Sequence, residues 1–512
     1  MTLLAMPLQS FPQFTTMDYR LGAPMIVLTL FSLGILCLDL FLPAQLKQYS
    51  SVPALLGLLV AGYATLQIQR VLPANGGSLH AFFGSIVLDP FAVYFFYLFL
   101  VGTAVAILIS IRYMEIEREN HGEFYALLLF ALIGMMCLAA GNDFVLIFIG
   151  MELMAISSYI LVGFLRSNKR SNEAALKYLL LGAFSSAIFA YGLSLFYGLS
   201  GSTNLGEVAN ALGQRIAANP KDPLVVLALL MTLTGMLFKI AAVPFHMWAP
   251  DVYEGAPTSV TGFMSVSVKA AGWAMLLRVL LFGLYPLRDL YVPLIIFVAL
   301  VTLTAGNLAA ITQTNTKRLL AYSSIAHVGY MLLGLVASDG VTNSTGIKGI
   351  LFYLLAYTFM NLGAFSVLTS LRRRKIVGDN IEDIAGLIHK APVEAILMLI
   401  FLLSLAGIPP LAGFYGKYFI FLSLMETGHY VLATVAVLYA VIALYYYLKI
   451  ANAMFMGKST SEEPVSAPPA MNIALYFSGA ATVVIGLFPN IFIQAVDWSV
   501  SVLGLGGIAR LR

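Results

Sequence analysis

Charge is what this sequence has least of: Asp, Glu, Lys and Arg make up 10% of its 512 residues, against about 25% in a soluble domain. With 60% of residues hydrophobic, that scarcity excludes a water-soluble globular fold. Cysteine is nearly absent. The two that occur, Cys37 and Cys137, stand inside apolar runs, with no CxxC pair and no histidines at metal-ligand spacing. Disulfides, zinc and iron–sulfur clusters are therefore not expected. There is no GxGxxG after a strand and no Walker-type loop, which argues against a bound nucleotide or flavin, so any redox chemistry must lie in another chain. The first apolar run also lacks a basic leader and a small-residue cleavage site, and no removable signal peptide is expected.

What is present is a series of apolar runs, most of them long enough to cross a hydrocarbon core of about 30 Å as helices, without the short alternation of a barrel. Fourteen spans are expected near 23–43, 51–71, 91–112, 124–140, 142–165, 173–199, 224–247, 258–283, 291–312, 317–337, 346–371, 393–425, 430–456 and 470–495. The class is an all-α polytopic membrane protein. The longest connections, 72–90, 200–223, 372–392 and the Pro-rich 457–470, are too short for a soluble domain.

Loops after odd-numbered spans hold Lys47, Arg112, Arg118, Arg166, Lys169, Arg170, Lys317, Arg318, the run Arg372-Arg373-Arg374-Lys375, and Lys390. Those after even-numbered spans hold chiefly Arg70, Arg215, Lys221 and Arg288. By the positive-inside rule the odd-span loops face the cytoplasm and both termini lie on the opposite side. The Arg372–Lys375 run reads as a topology determinant, not a nucleic-acid site.

A repeat is legible. SYILVGF at 158–164 matches GYMLLGL at 329–335, and KYLLLGAF at 177–184 resembles FYLLAYTF at 352–359. Five spans fit in that separation, and because five is odd the second copy enters the membrane from the other side. The repeat is inverted, as in many ion transporters. Its register relates a break at Val243-Pro244-Phe245-His246 to one at Gly407-Ile408-Pro409-Pro410. Proline removes a backbone donor and frees carbonyls that must find partners inside the membrane.

Ionisable residues sit near the middle of apolar runs: Glu152, Lys239, Lys269 and Lys417. Each costs roughly 2.5–3.5 kcal/mol of insertion free energy on translocon scales, a cost that proton transfer would justify. Lys239 precedes one break and Lys417 follows the other, within reach of freed carbonyls. Glu152 is the expected partner of Lys239. Lys269 and Lys417 have no mid-span carboxylate of their own and read as relay stations. His327 lies mid-span among Ser323, Ser324 and Tyr330, a set able to pass protons. Lys177 and Asp39 lie nearer span ends, where snorkelling is expected.

The stretches SNEAALKYLLLGAFSSAIFAYGLSL, VPFHMWAPDVYEGAPTSVTGFMSVSVKAAGWA, KRLLAYSSIAHVGYMLLGL and LAGIPPLAGFYGKYFIF closely resemble the subunit N family of NADH-quinone oxidoreductase, respiratory complex I. The resemblance spans roughly residues 120–455, and PDVYEGAPT is especially distinctive. It implies a fourteen-helix antiporter-like fold with two inverted five-helix repeats and broken seventh and twelfth helices. The implied divisions are 1–120 (helices 1–3), 121–285 (first repeat), 286–456 (second repeat) and 457–512 (linker and helix 14). It further implies a proton relay through Glu152, Lys239, Lys269, His327 and Lys417, coupled to quinone reduction elsewhere. This chain would hold no cofactor. Flavin and iron–sulfur clusters are expected in partner subunits, and the partners include sibling antiporter-like subunits, the lipid bilayer of a bacterial inner membrane and protons, with no nucleic acid. An Mrp-type cation/proton antiporter is the alternative, and a non-conducting scaffold a third.

Overall fold

A computed structural model describes residues 14–43, 46–72, 77–119, 121–338, 343–371, 379–458 and 469–504. The expected Arg372–Lys375 determinant lies outside these. Three helices open the chain: α1 (Thr16–Phe41), α2 (Ser51–Val71) and α3 (Pro90–Glu117). Then come α4 (Gly122–Ala140), α5 (Phe144–Val162), α6 (Lys169–Ser200), α7 (Leu205–Ala218), α8 (Pro223–Ile240) and α9 (Trp248–Gly255). The eighth span, Thr258–Gly283, joins α10 (Thr258–Phe263) through a π turn to α11 (Lys269–Arg278). The second half comprises α12 (Arg288–Thr312), α13 (Thr316–Val336), α14 (Thr345–Ser370), the short α15 (Leu387–Lys390), α16 (Pro392–Ala406), α17 (Ala412–Glu426) and α18 (Tyr430–Met456). The chain closes with α19 (Pro469–Leu487) and α20 (Pro489–Gly504).

Among the described residues 13 helices are long and apolar enough to span a membrane, and the broken pair α16–α17 completes fourteen. The inverted halves are α4 to α11 and α12 to α18. In each, the fourth span is the broken one: α8–α9 and α16–α17. Polar caps set many of the helix starts. Asp143 accepts from Val145 and Leu146 before α5, Asn315 from Arg318 before α13, and Asp89 from Ala92 before α3. Such caps satisfy amides that the first turn leaves unpaired.

Three details depart from the sequence-based expectation. The last run, 470–495, divides at Phe488, because Pro489 has no amide hydrogen to continue the helical ladder. The first helix begins at Thr16, well before residue 23, since Thr15 and Asp18 form a reciprocal capping box. Asp39 does not snorkel: it is buried, pairs with Lys47 at 2.8 Å and accepts the Gly122 amide at 2.8 Å, tying α1 to the start of α4. The Lys177 side chain is 44% exposed near the start of α6 and pairs with two carboxylates, Glu173 at 2.8 Å and Asp251 at 3.0 Å.

The connections are structured. Residues 79–88 hold an antiparallel hairpin, β1 (Leu79–Ala81) and β2 (Ile86–Leu88), and α7 occupies the 200–223 connection. A buried ion pair pins α3, α4 and the eighth span together. Arg278 meets Asp89 at 2.5 and 2.9 Å and donates to the Ala139 carbonyl, with its guanidinium between the rings of Phe91 and Phe282.

Candidate functional site

Both breaks share one backbone device. α8 ends on Ala241 in the left-handed region (φ 60°) and α16 ends on Gly407 (φ 88°), and three residues later each chain meets Pro244 or Pro410. Glycine is needed at the second site for space as well: a Cβ on Gly407 would lie 2.8 Å from the Lys417 side chain.

The freed backbone groups are satisfied differently in the two halves. In the first, the Trp248 indole donates to the Phe238 carbonyl at 3.0 Å, and the Val243 amide donates to Thr302 Oγ1 at 3.0 Å. Lys239 is buried, and its Nζ has no hydrogen-bond partner. It sits 5.9 Å from the ring centres of both Tyr159 and Phe238. In the second half, Lys417 itself reaches back and donates to the carbonyls of Ala406 at 2.7 Å and Leu405 at 3.1 Å.

The expected Glu152–Lys239 contact pair is not formed. Glu152 lies on the partly exposed side of α5, its Oε1 is buried without a partner, and no ion pair joins the two. The carboxylate acts on Lys239 and on Tyr159 only through space. The reason is Tyr159, two turns along α5 on the same face as Glu152. Its ring occupies the place beside the ammonium, seated against Gly182, whose missing Cβ gives it room, and edge-on to Tyr178.

Lys269, Ser324 and His327 do come together. Lys269 Nζ donates to Ser324 Oγ at 2.8 Å. The neighbouring Ser323 hydroxyl pairs with Tyr447 Oη from α18, and the same Tyr447 hydroxyl lies 2.9 Å from His327 Nε2. The other imidazole nitrogen, Nδ1, is 2.5 Å from Tyr353 Oη on α14. Tyr330, one turn from His327, lies under Lys417, whose ammonium is 5.1 Å from its ring centre. Lys269, Lys417 and His327 are all buried. Two hydrogen-bonded groups thus adjoin at Ser323-Ser324, Lys269 with Ser324 on one side and Ser323, Tyr447, His327 and Tyr353 on the other, with the Ser324 hydroxyl donating to the Ala321 carbonyl at 2.8 Å.

Sequence reasoning named Ser323, Ser324 and Tyr330 but missed Tyr447, Tyr353 and Tyr159. The tyrosine run 445–447 inside an apolar span was the signal available for the first. It also missed Asp251, which Lys177 and Arg318 grip at 3.0 and 2.7 Å, and Arg318, which adds Glu254 at 3.0 Å. This network fastens α9 to α6 and α13. Among the described residues no group of three or more His, Cys, Asp or Glu is placed to hold a metal ion.

The family described as NADH:quinone oxidoreductase/Mrp antiporter, TM, matches residues 141–443. NADH-quinone oxidoreductase subunit N 1 of Koribacter versatilis (strain Ellin345) is 64% identical over 501 residues, covering 96% of this chain and 97% of its own length. Subunit N 2 of Solibacter usitatus (strain Ellin6076) is 51% identical over 490 residues, 95% of this chain and 98% of its own. A chain of respiratory complex I from Thermus thermophilus with bound aureothin superposes with a TM-score of 0.77 at 34% identity, over 92% of this chain and 99% of that one. A chain of the Mrp complex from Dietzia sp. DQ12-45-1b gives 0.82 at 20% identity, covering 96% and 98%, a likeness of fold alone.

Proposed function

This chain belongs to the subunit N family of NADH-quinone oxidoreductase and is a proton-translocating, antiporter-like membrane subunit of that complex; we propose that Glu152, Lys239, Lys269, His327 and Lys417 carry its proton. The observation that carries the proposal is a pair of adjoining buried hydrogen-bonded groups, Lys269 with Ser324 and, from the next residue Ser323, Tyr447 with His327 and Tyr353. Such groups inside a membrane protein mark an ion path, because isolated ionisable groups are costly there.

In this reading Lys239 is the switch. Its ammonium is buried, has no hydrogen bond, and feels the Glu152 carboxylate only across space, so a change of charge near Glu152 shifts where the proton rests. Lys269 receives it, the serine and tyrosine hydroxyls pass it to His327, and Lys417 releases it from the second break. The redox chemistry is assigned to partner subunits, which would hold the flavin and iron–sulfur clusters. The exposed apolar residues on α5 either side of Glu152, Ile149 and Ile156, support a neighbouring membrane subunit covering that face. Placement in a bacterial inner membrane with both termini outside the cytoplasm rests on the loop charges. Residues 121–285 and 286–456 would then work as the two halves of one conductor.

The test is to introduce Lys239→Met and Glu152→Gln separately into the assembled complex and follow acidification of inverted membrane vesicles driven by NADH. Proton movement and coupled turnover should fall by at least about tenfold, the usual scale for a lost acid–base group, with subunit content unchanged. Full acidification by both variants would dismiss these two residues from the relay.

A further inference from the structure

Four buried polar side chains beside Lys269 have no place in the relay just described. They lie where α3, α14 and the eighth span meet. Immediately before Lys269, residues Met264–Val268 form a π turn, a local widening that re-aims side chains and recurs at functional sites. It presents Ser265 and Ser267. Ser265 Oγ accepts from Asn361 Nδ2 of α14 at 2.7 Å and donates to the Gly262 carbonyl at 2.8 Å. Ser267 Oγ is buried and has no partner.

Opposite Ser267 stands Gly102 of α3. A Cβ there would lie 2.4 Å from Ser267 Oγ and 3.9 Å from the Thr358 methyl, so the absence of a side chain is what leaves room for the serine hydroxyl. One turn before Asn361 on α14 is Tyr357, whose hydroxyl is buried beside Ser324 and whose ring centre is 5.3 Å from that of His327. Toward the basic face lie the buried hydroxyls of Ser259, which has no partner, and of Ser110, Ser366 and Thr369, each of which donates to a carbonyl one turn back on its own helix. Hydroxyls left unpaired in a packed membrane interior call for water.

We propose that the junction of Gly102, Ser265, Ser267 and Asn361 is a hydrated side branch that delivers protons to Lys269 from the Lys/Arg-rich face, with Ser265, Ser267 and Asn361 as its positioning residues. The branch rests on the reading of Lys269 as a relay station. It enters the network beside Lys269 and Tyr357, independently of Glu152 and Lys239. The π turn therefore sets both ends of the hand-over: it aims the serines at α3 and α14, and leaves the lysine that follows them pointing to Ser324 on α13.

The experiment compares three variants of the whole complex in membrane vesicles: Ser265→Ala/Ser267→Ala together, Asn361→Leu, and Lys269→Met. Protons moved per NADH oxidised, coupled turnover and the solvent deuterium isotope effect are measured, with subunit content checked on native gels. The serine pair and Asn361→Leu should each slow coupled turnover about fivefold or more, on the scale of a weakened proton-transfer step, and raise the isotope effect. Asn361→Gln, which keeps the amide, should recover most of the rate. Normal rates and an unchanged isotope effect in the serine pair, with Lys269→Met inactive, would overturn the branch and leave the relay standing. Normal proton movement in Lys269→Met would remove the relay role of that lysine and the branch with it. The serine replacements each remove a single oxygen, so they decide the matter should Asn361→Leu not assemble.

Discussion

Trp248 and Lys417 perform the same task on opposite helix breaks: the indole holds the Phe238 carbonyl at 3.0 Å, and the ammonium holds the Ala406 carbonyl at 2.7 Å. Aligning the left-handed residues Ala241 and Gly407 puts Asp251 where Lys417 stands in the second half. That aspartate is neutralised by Lys177 and Arg318 and plays no part at the break. The consequence is an asymmetry. An aromatic donor stabilises the first break and leaves Lys239 without a hydrogen bond, whereas the second break is held by the ammonium of Lys417, a member of the proposed relay.

Lys417→Ala should therefore do two things at once. It removes the amine from the relay and leaves the Leu405 and Ala406 carbonyls without their donor, a loss of about 1.5–3 kcal/mol for bonds to a charged group. Vesicle acidification should drop by an order of magnitude or more while the complex still assembles. A scaffold subunit would keep full acidification.

His327 is held between two phenols, and these are separable from its packing. Tyr447→Phe and Tyr353→Phe keep the rings and remove only the hydroxyls that meet Nε2 and Nδ1. Each leaves an imidazole nitrogen unpaired at roughly 1–3 kcal/mol, which is tolerable in a large bundle. Proton translocation should fall about threefold to tenfold in each, read as acidification rate per NADH oxidised. Equal rates in the double variant and the parent would remove the tyrosines from the path.

Arg278 and Asp89 form the contrasting case of a buried pair fixed in place. Asp89 caps α3 while Arg278 spends its remaining hydrogens on the Ala139 carbonyl. Breaking such a pair costs about 3–5 kcal/mol, because one charge is left buried alone. Asp89→Asn and Arg278→Met should lower the amount of assembled subunit on native gels, and whatever assembles should move protons at the parent's ratio.

The corner between α7 and α8 offers a pH test away from the membrane interior. The Arg215 side chain, at 2.6 Å, holds the Asp222 carboxyl below its ordinary value, helped by the Leu224 amide. A lowered folded value means the contribution is fully present above the unfolded pKa of about 3.9 and fades only as pH falls through the depressed folded value. Amide exchange at 219–226 should thus be insensitive to pH near neutrality once the intrinsic exchange rate is divided out. Asp222→Asn should quicken it at every pH from about 5 to 8.

Much of the site was readable because its signals are local. Proline marks its own break wherever the chain goes, and an ammonium inside an apolar run is conspicuous without knowing its neighbours, which is how Lys239, Lys269, Lys417 and Glu152 stood out. What each would touch was not readable. The contact expected between Glu152 and Lys239 is not made, because α6 packs against both α5 and α8 and it is Tyr159, seated on Gly182 of α6, that lies beside the ammonium.

The sequence by itself determined that this is a membrane bundle of fourteen spans, where it breaks, and which buried groups can titrate, since insertion free energy and backbone chemistry act residue by residue. Tertiary packing alone decided that Tyr447 and Tyr353 bracket His327 and that Ser267 lies against Gly102. These helices are apolar on nearly every side, so no polar stripe fixes their rotation in advance. Only the fit of one helix surface against another chooses which hydroxyls meet.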